Sequence, residues 1–174
     1  AISVRENSLQ TTLSPLTDKN IETLMDPVFL LKEEEWLRIS TKNNKKNKFL
    51  LFYNLQKNKE ARDIAEEVSN KLGLKVIEIV GNARYYSFKS NINYAAGPRD
   101  FITLISNADF VVSSSFHGIA LALIFEKQFY ACLSNNQGRV VSLLEILGVR
   151  SRIINSVDEI DYEDWIDYTI VNEK

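Results

Sequence analysis

The hydrophobic pattern changes character near Phe49. Beyond that point, apolar runs of strand length alternate with stretches of helical period. Phe49–Asn54, Lys75–Val80, Asp109–Val112, Gln128–Leu133 and Arg152–Asn155 read as strands. Ala61, Ile64, Ala65, Val68 and Leu72 recur at helical spacing, and Gly73 supplies a stop, which predicts a helix over Lys59–Leu72. Pro98 suits the first turn of a helix whose apolar face is Phe101, Leu104, Ile105 and Ala108. Ile119–Phe125 is apolar on every face, the mark of a buried helix. Arg139 opens another, with Val140, Leu143, Leu144 and Leu147 on one side and Gly148 at the end. Strands alternating with helices predict an α/β fold: a Rossmann-like, doubly wound parallel sheet covered on both faces.

Before Phe49 the pattern is weaker. Ile2–Val4 reads as a strand and Asn7–Leu13 as a short helix or loop. Leu16–Met25 suggests a second short helix, stopped by Asp26-Pro27 because a residue before proline disfavours the helical region. Val28–Leu31 is apolar, Glu33–Trp36 suggests one more helical turn, and the polar, basic run Ser40–Lys48 reads as a surface connection. The expected division is therefore residues 1–47 as the remnant of an N-terminal domain and its linker, and 48–174 as a C-terminal Rossmann-like domain. Gly81–Tyr94 has no clear period, with a short strand near Ile92–Ala95; Ser156–Glu159 has capping-box spacing before a last helical segment.

Composition narrows the classes. At 174 residues, 45% hydrophobic and 25% charged, the chain is of globular type. A net charge of −2 gives no basic footprint for nucleic acid. One histidine and one cysteine make a zinc site a poor fit, and Cys132 sits in an apolar run that suits a buried thiol. No apolar run approaches the ~20 residues of a membrane span. No glycine-rich dinucleotide fingerprint follows the first strand, where the chain reads Tyr53-Asn54-Leu55-Gln56-Lys57-Asn58, and no Walker loop occurs.

Candidate chemistry concentrates in Asn107–Ala120. A strand runs through Ser113, Ser114 and Ser115 into a helix that opens at the only histidine, His117, followed by Gly118. The free N–H groups and dipole of a helix start favour an anion. His117 can donate a hydrogen bond or move a proton near neutral pH. Gly118 permits close approach of backbone or ligand. Ser115 is a candidate phosphate or carboxylate contact, or only a cap. Arg139, at a helix start after a strand, opposes the helix dipole and so calls for a bound anion or a carboxylate partner. Arg99 stands in a similar first-turn position.

The stretch Ser115-Phe116-His117-Gly118 resembles the signature of the polysaccharide pyruvyl transferase family. The likeness continues in family order with Ser3-Val4-Arg5-Glu6, with Asp26-Pro27-Val28-Phe29-Leu30-Leu31 and Trp36, with Asp100-Phe101 through Ala108-Asp109, and with Arg139-Val140-Val141-Ser142-Leu143-Leu144. This resemblance, rather than spacing, singles out Arg5. It implies transfer of a pyruvyl group from phosphoenolpyruvate to two sugar hydroxyls as a ketal, in the synthesis of an exopolysaccharide or cell-surface polysaccharide, with no cofactor and no metal. His117 would be catalytic; Arg139, Ser115, Gly118, Arg99 and Arg5 would bind substrate. It also implies a glycosyltransferase-B-like protein of two Rossmann-type domains, of which this chain would be the C-terminal half, weakly active or inactive alone. The partners would be phosphoenolpyruvate and a saccharide or lipid-linked acceptor, in the cytoplasm or at the inner face of the cell membrane. Self-association into a homo-oligomer is left open.

Two other classes fit the pattern. One is half of a glycosyltransferase using a nucleotide sugar, for which Glu145 is the only acidic ribose-binding candidate, in mid-helix. The other is a non-catalytic Rossmann-like module.

Overall fold

The computed structural model describes residues 1–41, 47–55, 58–80, 91–92, 96–133 and 138–173. The chain opens with β1 (Ile2–Val4), α1 (Asn7–Leu13), β2 (Ile21–Thr23) and α2 (Glu33–Leu37). Next come β3 (Phe49–Asn54), α3 (Lys59–Leu72), β4 (Lys75–Val80), β5 (Asn91–Ile92), α4 (Pro98–Asn107), β6 (Phe110–Ser113), α5 (Phe116–Ile124), β7 (Phe129–Ala131), α6 (Gly138–Ile146) and α7 (Tyr168–Val171).

β3 to β7 form one parallel sheet in the order β5-β4-β3-β6-β7. The fold is α/β and Rossmann-like. β3 lies in the middle because its residues are apolar on both faces. Leu50 and Phe52 pack with Ala61, Ile64, Ala65 and Val68 of α3 on one side. Leu51, with Val111, joins the opposite layer of Ile105, Ile119 and Leu144 from α4, α5 and α6. The strand order turns back between β3 and β6; the two strands stay paired to Tyr53 and Ser113, but β3 leads to α3 on one face and β6 to α5 on the other, the switch point at which open α/β sheets bind ligands.

α3 has the bounds its period predicts, with Asn58 capping Ala61 N–H at 2.9 Å and Gly73 in the left-handed region at φ 64°. α4 begins at Pro98, as expected. Three short elements differ from the sequence reading. Ile21–Thr23 is a strand, paired in parallel with Ile2–Val4, where a helix over Leu16–Met25 was expected. Ile21 is buried in that pairing, and the helical content is confined to a 3-10 turn at Ser14–Leu16. The expected strand Arg152–Asn155 is reduced to one bridge between Ala131 and Ile153. A 3-10 turn at Arg150–Arg152 takes its start, and the Arg152 side chain is buried to pair with Asp164 and lie over the Tyr130 ring. The segment after Ser156 is a 3-10 turn, Val157–Glu159, with Ser156 Oγ 3.1 Å from Glu159 Oε1. Expectations for residues 42–46, 81–90, 93–95 and 134–137 lie outside the described residues.

The β1–β2 pair stays apart from the main sheet, but the segment from Pro27 to Thr41 docks on the sheet's helical layer. A 3-10 turn at Pro27–Leu30 packs on α5 and inserts Val28 into the main core. Trp36 packs against the same core, and Thr41 N–H donates to Thr103 Oγ1 of α4 at 2.7 Å.

Candidate functional site

β6 ends at Ser113 and α5 starts at Phe116, so the turn between them lies at the carboxyl edge of the sheet. Ser113 is fully buried and ties the turn together: its Oγ accepts from Ser115 N–H at 3.0 Å and lies 3.4 Å from the Tyr53 carbonyl. Ser114 N–H donates to that same carbonyl at 3.3 Å. Ser115 is the N-cap, and its side chain makes no capping hydrogen bond. The Ile119 N–H bonds back to the Ser115 carbonyl, and the N–H groups of Phe116, His117 and Gly118 in the first turn have no hydrogen-bond partner among the described residues.

Gly118 is buried and faces inward. A Cβ there would lie 2.3 Å from Ser113 Oγ and 2.8 Å from Tyr53 Cδ1. The close approach that glycine permits at this position is that of α5 to the paired ends of β3 and β6. The space belongs to Ser113 and Tyr53, so the side of Gly118 that lacks a Cβ faces the protein interior. Tyr53 in turn stacks at a tilt on Phe101 of α4, with centroids 4.6 Å apart.

His117 is exposed on the first turn of α5, its ring edge-on to Phe116. Beside it lies a cluster of charge. Arg139, in the first turn of α6, has Nε 3.3 Å from Glu6 Oε1 and Nη1 3.8 Å from Asp26 Oδ2. Its guanidinium lies over the Phe116 ring, 4.7 Å from the centroid. Arg5 reaches the same Asp26 Oδ2 at 2.6 Å. The carboxylates of Glu6 and Asp26 thus offset the mismatch between Arg139 and the helix start.

Asp26 is 8% exposed, and its second oxygen accepts the Val28 N–H at 3.1 Å. Burial by itself would raise this carboxyl. The Val28 N–H, the Arg5 guanidinium and the charge of His117 outweigh it and hold Asp26 below the ordinary value of 3.8. Asp26 is therefore a fixed negative charge at neutral pH. The Glu6–Arg139 contact is of another kind, with both side chains about a third exposed and the attraction correspondingly screened.

Arg5, Asp26, Phe116 and Arg139 line one pocket of about 120 Å³, whose apolar lining includes Leu24, Met25 and Ile146. The structure thus brings Arg5 and Arg139 together. Ser115, His117 and Gly118 belong to the adjacent helix start rather than to the described lining of this pocket. Arg99 is exposed in the first turn of α4, and no contact among the described residues joins it to the cluster. Three members were not singled out from the sequence: Asp26, Glu6 and Phe116. The signal for Asp26 was a carboxylate embedded in an otherwise apolar block. No group of His, Cys, Asp or Glu side chains among the described residues is arranged to hold a metal ion, and no described helix is long and apolar enough to cross a membrane.

The family model for polysaccharide pyruvyl transferases matches residues 1–137. The chain belongs to the polysaccharide pyruvyl transferase family. No curated protein sequence matches it. Within this transferase family match fall Arg5, Asp26, Arg99 and the Ser115–Gly118 turn. The match ends just before Arg139, whose place beside Asp26 is given by the fold.

Proposed function

We propose that this chain carries the donor side of a pyruvyl transfer from phosphoenolpyruvate to two hydroxyls of a saccharide, in the synthesis of an exopolysaccharide or cell-surface polysaccharide. The observation that supports this reading is the meeting of Arg5 and Arg139 on one oxygen of Asp26, next to the start of α5. Phosphoenolpyruvate has two anionic groups, a phosphate and a carboxylate. Two guanidinium groups and a set of helix-start N–H donors are suited to receive them.

In the reaction, one sugar oxygen bonds to carbon 2 of the enol as carbon 3 gains a proton and becomes methyl. The second sugar oxygen then displaces phosphate. Of the two hydroxyl protons released, one balances the proton taken up at carbon 3 and the other leaves with phosphate. His117, exposed at the tip of α5, is the residue to which we assign proton transfer. Residues 1–47 would be the edge of a preceding domain that supplies the acceptor side and lends Arg5 and Asp26 to the donor site, and 48–174 the domain that carries the rest of the donor site.

The nucleotide-sugar alternative is less well supported. Its acidic candidate, Glu145, is paired with Arg150 at 3.2 Å near the far end of α6 from Arg139.

Kinetics of the full-length enzyme test the proposal. Arg139→Ala should weaken phosphoenolpyruvate binding by about 1.5–3 kcal/mol, the range for a hydrogen bond to a charged group. His117→Ala should lower kcat by about 10²–10⁴-fold with a smaller change in KM. Activity unchanged by both substitutions would end the proposal, as would thermal stabilisation by nucleotide sugars and not by phosphoenolpyruvate.

A further inference from the structure

We infer that Asp26 is a positioning residue of the donor site, a single buried carboxylate oxygen that sets the spacing of Arg5 and Arg139 and so selects a ligand with two anionic groups. The inference rests on the assignment of that site to the donor. Its warrant is how differently the three side chains are held. Asp26 is fixed from several directions: it is buried, it accepts the Val28 N–H, and the turn it caps is anchored in the main core through Val28. Arg139 has supports of its own in Phe116 and Glu6. The Arg5 side chain is 52% exposed, and its one described side-chain partner is Asp26. Without that partner, a long guanidinium side chain beside a second cation is driven outward by repulsion and by its own rotamer entropy.

A negative charge under an anion site also opposes the anion, so the sign of the effect is open to measurement. If Asp26 acted only through its charge, neutralising it would tighten binding. If it positions the arginines, neutralising it weakens binding. Asp26→Asn has the same size and keeps an oxygen for Val28 N–H.

In the full-length enzyme, Asp26→Asn should raise KM for phosphoenolpyruvate about 10–100-fold, by analogy with the loss of a partner that orients a metal-binding side chain. KM for the acceptor should stay near wild type, and the variant should remain folded at the assay temperature, its melting temperature lowered only by the stability that the Asp26 charge lends. Added to Arg5→Ala, it should cost less than it does alone, because the two substitutions remove the same interaction. Should Asp26→Asn fail to fold, Asp26→Glu decides. It keeps the charge but moves the oxygens out by one methylene, and the same rise in KM is expected. Unchanged or tighter phosphoenolpyruvate binding in the folded variant overturns the inference, as does full additivity with Arg5→Ala. If Arg5→Ala and Arg139→Ala leave phosphoenolpyruvate binding intact, the site assignment falls and this inference with it. If they weaken binding and the Asp26 variants do not, only the positioning role is lost.

Discussion

The guanidinium of Arg139 lies over the ring of Phe116, its Cζ 4.7 Å from the ring centroid. The two residues open different helices, and the contact joins the starts of α5 and α6 at one edge of the sheet. Because the ring is half-buried while the guanidinium remains partly in solvent, the attraction is of the modest kind, about 0.5–1 kcal/mol. Its larger role is geometric, holding a cation that a helix start would otherwise repel. Phe116→Leu should keep the fold and weaken phosphoenolpyruvate binding by about that amount, measured by calorimetry. Unaltered affinity would show that Glu6 and Asp26 suffice to hold Arg139.

Gly118→Ala tests the seat of α5 on the sheet. A methyl group there meets Ser113 Oγ at 2.3 Å and Tyr53 Cδ1 at 2.8 Å, and neither neighbour is the free end of a flexible chain. Overpacking of this kind costs about 1–3 kcal/mol. Urea unfolding should show the loss as a lower midpoint. Ser113→Ala should relieve part of it, since the nearest oxygen goes while Tyr53 remains, so the two substitutions should couple. A neutral Gly118→Ala would mean that α5 can slide away without cost.

Acid stability should depend on two carboxyls. Asp164 is held below the ordinary value of 3.8 by hydrogen bonds from Ser151 and from the buried Arg152. Asp26 is lowered too, in spite of its burial, by Val28 N–H and Arg5. Each binds a proton less readily in the folded than in the unfolded chain. The stability it lends is complete above 3.8 and disappears as pH falls below that through the lowered native value. Melting temperatures taken across this window should fall with pH, and Asp164→Asn should flatten the acid limb while lowering stability at neutral pH. An acid limb as steep in Asp164→Asn as in the wild type would assign it to other groups.

Cys132 should be inert in the native protein. Burial raises its thiol to about 12, assisted by the charge of Glu159. The thiolate is the reactive form. Iodoacetamide at about pH 8 should therefore leave the folded chain unlabelled and modify it once denatured. Rapid native labelling, read by mass spectrometry, would contradict the burial of the strand end that carries it.

The parts of the fold legible in the sequence are those with long periods and sharp punctuation. α3 follows from five apolar residues at helical spacing between Asn58 and Gly73, and α4 from Pro98 and its apolar face. β2 was not legible, because Ile21 is the one apolar residue of its three, Glu22 and Thr23 being polar and exposed, and its partner Ile2–Val4 lies in a separate segment. Arg152 misled for a related reason: a charge just before the apolar pair Ile153-Ile154 gives no sign that it will be buried against Asp164. At the site, the strand–turn–helix around His117 could be placed from local pattern alone. Asp26 could not be given its role, since from the sequence it reads as a helix stop before proline and as part of a family-like block, neither of which names its partners. Its partners Arg5 and Arg139 come from opposite ends of the chain, and only the tertiary fold brings them to one oxygen.

That meeting has a consequence for how the molecule would respond to its ligand. Arg5 and Asp26 flank the small β1–β2 unit, while Arg139 and Phe116 belong to the main domain. A donor that bridges the two arginines would act as a clasp across this seam. Occupancy and the seating of the opening segment are then linked, each strengthening the other by mass action. Damage to the opening segment would register first as lost affinity, before the sheet behind it felt any change, and a bound donor would shield that segment from proteolysis.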